Sequence, residues 1–127
     1  MTVESKHPEW TAFRAEWDMV QDAIDGQRAI KSKTDTYLPI MAGYHRSDPR
    51  YKSYLQRAVF VNFTGRTKDG LVGAMFRKSP EVDIPEELDY LLENSDGAGE
   101  SLLSLTKDVA GEVISKGRMV LLVDYPT

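Results

Sequence analysis

The chain contains no cysteine, only two histidines, and no apolar run approaching the ~20 residues that a membrane-spanning helix needs. Without cysteine there are no disulfides and no thiolate metal sites, and a cytosolic origin is permitted. Positive charge is also in deficit. Sixteen Lys and Arg against twenty Asp and Glu leave a formal net charge of −4. That balance argues against a protein that coats nucleic acid by bulk charge, while leaving room for a local basic patch. The N-terminal run Met1-Thr2-Val3-Glu4-Ser5-Lys6 lacks an apolar signal core. Internal repeats and low-complexity tracts are missing as well.

What is present is ordinary globular material: 127 residues, 41% hydrophobic and 28% charged, enough for one domain with a modest core. Residues 1–7 read as a flexible arm. His7-Pro8-Glu9 reads as a helix start, with proline at the first helical position and an acid against the dipole. Trp10, Phe13, Trp17, Val20 and Ile24 then recur at spacings of three and four, an apolar stripe that has to dock on something. Gly26 either ends this helix or is crossed at small cost.

Residues 31–48 are turn-rich. Ser47-Asp48-Pro49 supplies a second capped start, and Tyr51, Tyr54, Leu55, Ala58 and Asn62 continue at helical spacing. The expectation is a helix over 49–64 and a shorter one over 66–77 after Gly65. A hairpin of residues 59–63 and 71–76 about Asp69-Gly70 is the alternative. An extended connector at 79–85, a short helix opened by Pro85-Glu86-Glu87, a turn at 94–99 and a helix over 100–115 follow. Gly117 is placed as the last helix's left-handed stop.

The run from Arg118 to Thr127 contains five consecutive apolar residues, Met119-Val120-Leu121-Leu122-Val123. It reads as a strand covered on both faces. Such a strand needs ladder partners, and no other segment is as clear a strand. The expected fold class is therefore α+β, predominantly helical. Amphipathic helices would pack on a small sheet that includes the C-terminal strand. Residues 1–127 would form one domain or a fragment of a larger one, with the sheet completed by further chain or another subunit.

Candidate chemistry is sparse. Asp18, Asp22 and Asp25 share one side of the first helix, as hard-metal ligands would. No carbonyl-rich loop accompanies them, and Arg14 stands four residues before Asp18, so a solvated face is favoured. Asp96-Gly97-Ala98-Gly99-Glu100-Ser101 precedes a helix and resembles a phosphate cradle only loosely. It is acidic and lacks the Gly-Lys-Ser/Thr ending, so a turn and cap is favoured. His7 and His45 have no defensible triad partners. Asp124, at the end of the terminal strand, is a lone carboxylate, and a small enzyme pairing it with His45 ranks last. No catalytic, cofactor or metal residue is assigned.

Arg46, Arg50, Lys52, Arg57, Arg66, Lys68, Arg77 and Lys78 concentrate in the middle third. Arg50 and Arg57, seven apart, share a helix face. Pairing with acidic segments, within the chain or across subunits, is favoured over contact with a phosphate backbone.

The order of segments carries a resemblance. Tyr37-Leu38-Pro39 is followed by Tyr54-Leu55-Gln56-Arg57-Ala58 with Asn62, Arg66-Thr67, Gly70-Leu71-Val72-Gly73 and Phe76-Arg77-Lys78-Ser79-Pro80. Gly99-Glu100-Ser101-Leu102 and the closing run from Gly117 to Pro126 complete it. Over about residues 10–126 the pattern resembles the N-terminal, wing-like part of portal (head–tail connector) proteins of tailed bacteriophages. The chain departs from that family in length, since the stem and clip segments have no counterpart. The resemblance implies a non-enzymatic structural subunit of a homo-oligomeric ring, commonly a dodecamer, at one capsid vertex. Its partners would be other copies of itself, capsid, packaging terminase and tail adaptor proteins, with double-stranded DNA passing through non-specifically. It would need no cofactor and no membrane. It would reside in the virion, and in the host cytoplasm during assembly. The alternative is a stand-alone helical interaction module that pairs its C-terminal strand with a partner.

Overall fold

A computed structural model describes residues 5–123. Six α-helices and two 3-10 turns follow in order: α1 (Pro8–Asp25), α2 (Gln27–Ser32), a 3-10 turn (Thr34–Thr36), α3 (Pro49–Arg57), α4 (Phe63–Met75), a 3-10 turn (Glu86–Leu88), α5 (Tyr90–Glu93) and α6 (Leu102–Lys116). The chain divides into two compact units, one ending at Arg66 and the next beginning at Thr67.

The helix starts lie where side-chain chemistry places them. His7 caps α1, its Nδ1 accepting the Glu9 N–H at 3.3 Å, with Pro8 in the first turn. Asp48 caps α3 by accepting the Arg50 N–H at 2.8 Å, and Ser101 caps α6 through the Ser104 N–H at 3.2 Å. Gly117, at φ +75°, stops α6 in the left-handed conformation that costs other residues a Cβ clash.

In the first unit, Gly26 at φ +82° turns the chain from α1 into α2. Asp22 and Ile30 become buried along this corner, and Tyr51 of α3 is fully enclosed, its hydroxyl donating to the Leu38 carbonyl at 2.8 Å. Lys31 Nζ reaches the Gln56 carbonyl at 2.9 Å and so fastens α2 to the end of α3. In the second unit α5 packs on α6 and on the 3-10 turn before it.

The helix expected over 49–64 ends instead at Arg57. Val59 and Val61 are β-branched and unfavourable in a helix, and Phe60 and Asn62 are held by other partners. The Phe60 N–H donates to Gln27 Oε1 at 3.2 Å, and Asn62 accepts the Gly65 N–H at 2.7 Å. Asn62 thus serves as the cap of the next helix and not as part of an α3 stripe. Gly65 lies inside the first turn of α4 and does not precede it. The hairpin alternative does not form, because Leu71 to Met75 are within α4.

The expected sheet is overturned. Among the described residues there is no strand and no ladder, so the fold is all-helical and not α+β. Residues 118–123 leave Gly117 without secondary structure and lie open to solvent, with Val120 84% and Leu122 90% exposed. The physical reason is the lack of a pairing edge. Of the upstream segments that alternate like strands, 71–75 is helical and 58–62 is tied to Gln27 and to the start of α4, so an isolated apolar run has no ladder to join. Asp124 to Thr127 of the expected strand lie outside the described residues. Among the described residues no helix is long and apolar enough to cross a membrane.

The expected docking of the tryptophan stripe is only partly met. Trp10 stacks edge-on against Trp17 with centroids 5.4 Å apart, and Phe13 leans on Trp17 at 6.2 Å, while Trp10 and Phe13 keep much of their surface exposed. The stripe is zipped along its own helix. The chain folds over the other side of α1, around Asp22.

Candidate functional site

The three aspartates of α1 do not converge. Asp18 pairs with Arg14 one turn back, at 3.0 Å on the surface. Asp25 accepts from Gln21 Nε2 at 2.8 Å. Asp22 departs most from the expected solvated face. It is only 6% exposed, and its Oδ2 accepts Lys33 Nζ at 2.5 Å together with the Tyr37 hydroxyl. The Lys33 and Tyr37 hydrogen bonds hold the carboxyl below its usual range, and the same carboxylate pushes the Tyr37 phenol up to about 12. A carboxylate saturated by an ammonium and a phenol is a structural rivet, closing the chain from α1 to residue 37. Among the described residues no group of three or more acidic or histidine ligands converges.

The loop 94–101 consumes its own amides. Asp96 Oδ1 accepts the Ala98 and Glu100 N–H groups at 2.8 and 3.0 Å, and Asn94 Oδ1 accepts that of Gly99 at 2.8 Å. Those backbone bonds depress the Asp96 carboxyl. The donors a phosphate would use are therefore occupied by side chains from within the loop. His7 is a helix cap, and His45 is exposed, its carbonyl accepting the Asp48 N–H at 2.9 Å. Asp124 lies outside the described residues, so its pairing with His45 has no geometry.

Of the eight middle-third cations, only Arg46 joins a carboxylate among the described residues. It pairs with Asp35, which also accepts from the Thr34 hydroxyl and is held down to about 2. The others do not find the acidic segments expected to neutralise them. Lys68 lies with its stem across Gly111 of α6, where an added Cβ would sit 3.0 Å from Lys68 Cε. Around it, in the second unit, is an open groove of about 740 Å³ whose walls alternate Lys68 and Lys107 with Asp69, Asp108 and Glu112. Its acids outnumber its bases three to two.

The groove on α3 differs. About 710 Å³ in volume, it is lined by Met41, Tyr44, Arg50, Ser53, Tyr54 and Arg57 among others, and no carboxylate is in its wall. Arg50 lies over the Tyr44 ring at 5.6 Å and donates to its hydroxyl at 3.2 Å. Arg57 Nε donates to the Ser53 carbonyl at 3.3 Å. Tyr54 leans on the buried Tyr51 with centroids 6.2 Å apart. The arrangement is a preorganised cationic and aromatic surface. Sequence reasoning found the shared face of Arg50 and Arg57 but missed Tyr44, because loop and helix meet only in three dimensions. It also missed Asn62, although asparagine ahead of a helix is a capping signal in its own right.

No family model matches the chain, and neither curated proteins nor solved structures include a match.

Proposed function

We propose that this chain is a structural subunit of a tailed-phage portal ring, serving DNA passage, docking of the packaging motor and joining of head to tail. The portal assignment is supported by the spaced sequence pattern alone. The assembly role is supported by one structural observation, the scarcity of buried apolar side chains. Among the described residues only Ile30 and Tyr51 are buried hydrophobics, while Val59 is 78% and Phe63 70% exposed, and Trp10, Phe13, Leu71, Met75 and residues 119–123 are also open. Each Å² of apolar surface withdrawn from water is worth about 25 cal/mol, so a chain with this little buried apolar surface gains by being covered. Subunit neighbours in a closed ring would cover it.

In this role the protein works by surface complementarity and has no chemical step. Its partners are its own copies, capsid, terminase and adaptor proteins, with DNA passing non-specifically, at the virion vertex and earlier in the host cytoplasm. The test is light scattering and electron microscopy of the product of the native gene. Rings, commonly dodecamers, that copurify with capsids are expected. A product that stays monomeric at high concentration and never associates with capsids overturns the proposal.

The exposed apolar run at 119–123 favours a second reading, a helical interaction module that lends this segment to a partner sheet. Leu121→Pro would abolish that pairing, since proline removes a ladder donor. Ring assembly through the helices would survive the change.

A further inference from the structure

The α3 groove has three properties that together specify a ligand. First, Arg50 and Arg57 project from one face of α3, seven residues or about 10.5 Å apart along the axis. That separation lets the two side chains reach different phosphates of one strand. Second, neither guanidinium meets a carboxylate among the described residues. The nearest acid in sequence, Asp48, is engaged as the α3 cap by the Arg50 N–H. Third, both guanidiniums are already oriented, Arg50 by the Tyr44 ring and hydroxyl, Arg57 by the Ser53 carbonyl. The terminal amino groups of Arg57 and two of the three nitrogens of Arg50 have no protein partner among the described residues. Preorganised forks of this kind suit the paired oxygens of a phosphate.

The half-buried Tyr44 and Tyr54 rings decide between anions. Acidic side chains have no π-face to lay on them, whereas an unpaired base has one for which tyrosine is a stacking platform. We infer that the groove between the 41–49 loop and α3 binds single-stranded nucleic acid, with phosphates on Arg50 and Arg57 and a base against Tyr54. Bulk charge opposes this binding, as the chain carries −4. The affinity is therefore modest and local, and it requires no ring: a monomer binds as an assembled subunit does. Failure of ring assembly and failure of this site are thus separate results.

The experiment is fluorescence anisotropy of a labelled oligothymidylate with the intact protein. Neutralising two phosphates of a single strand gives a salt slope of about −1.4, a weakening of about sevenfold between ~50 and ~200 mM NaCl. Arg50→Gln with Arg57→Gln should flatten that slope and cost at least about tenfold in affinity. Tyr54→Leu should weaken binding by about tenfold with the slope unchanged. Arg50→Lys should keep the slope and lose part of the affinity, separating charge from fork geometry. Thermal melts of the arginine variants should match the parent, because those side chains are exposed, while Tyr54→Leu also loses the contact with Tyr51 and its binding is read below its own melting temperature.

The inference is overturned by no binding at ~50 mM salt, or by a double glutamine variant that binds like the parent. It is equally overturned if polyglutamate competes as well as the oligonucleotide, which would make the groove an acidic-peptide site. A duplex that binds more tightly than the single strand removes the stacking role and overturns it too.

Discussion

Replacing Asn62 by alanine tests the logic that holds the first unit together. Asn62 Nδ2 donates to the Ile24 carbonyl at 2.7 Å, and its Oδ1 accepts the Gly65 N–H at 2.7 Å. Ile24 is in the last turn of α1, where carbonyls run out of helical donors, and Gly65 is in the first turn of α4, where N–H groups run out of acceptors. One amide therefore serves the end of one helix and the start of another. The lost Ile24 bond is worth roughly 1 kcal/mol and the lost cap roughly 1 kcal/mol more. A total of about 2 kcal/mol corresponds to a fall in Tm of about 8–16 °C for a cooperative unit of this size. Circular dichroism melts and urea titrations measure it directly. Asn62→Asp sharpens the test. It keeps the acceptor for Gly65 but sets a carboxylate against the Ile24 carbonyl, so it should be at least as damaging as alanine. An Asn62→Ala protein within about 0.5 kcal/mol of the parent, or an aspartate variant as stable as the parent, would refute the clamp.

Two glycines of α4 should respond in opposite directions. At Gly65 a Cβ would lie 2.8 and 2.9 Å from the Asn62 amide and 3.0 Å from the Ile24 carbonyl oxygen, so Gly65→Ala should destabilise by more than about 1 kcal/mol. Gly73 has open space around its Cβ position, so Gly73→Ala should stabilise by about 0.5–1 kcal/mol, read in the same melts. The Asp22 rivet predicts two pH effects. Its carboxyl is depressed, so its contribution is full above the ordinary value of 3.8 and is lost as pH falls below that value. The Tyr37 phenol is raised from 10.0 to about 12, so its contribution is full below pH 10 and is lost between 10 and 12. Urea titrations across both windows should show these losses, and Tyr37→Phe should remove the Tyr37 part of the alkaline one. Asp96→Ala should free the Ala98 and Glu100 amides and raise hydrogen exchange in the 94–101 loop, while a loop unchanged in exchange would contradict the self-capped geometry.

Local chemistry made much of the helical framework legible. Pro8 after His7, Pro49 after Asp48, Ser101 ahead of an apolar stripe and Gly117 behind it each bias the backbone within a few residues, and each marks a helix end in the structure. The break after Arg57 was not legible, because it depends on Gln27 and Asn62 meeting chain from far away in sequence. The buried role of Asp22 was hidden for the same reason: Lys33 and Tyr37 come to it only because Gly26 turns the chain back.

The terminal run separates the two sources of information most clearly. By itself the sequence determined that residues 119–123 are apolar and fall just beyond a helix stop, since composition and Gly117 are local properties. Whether they form a ladder was a question of partners, and only tertiary structure decided it, with no strand among the described residues to receive them. Helix caps are settled between near neighbours in the chain, whereas strands, buried carboxylates and grooves are settled by which distant groups arrive alongside.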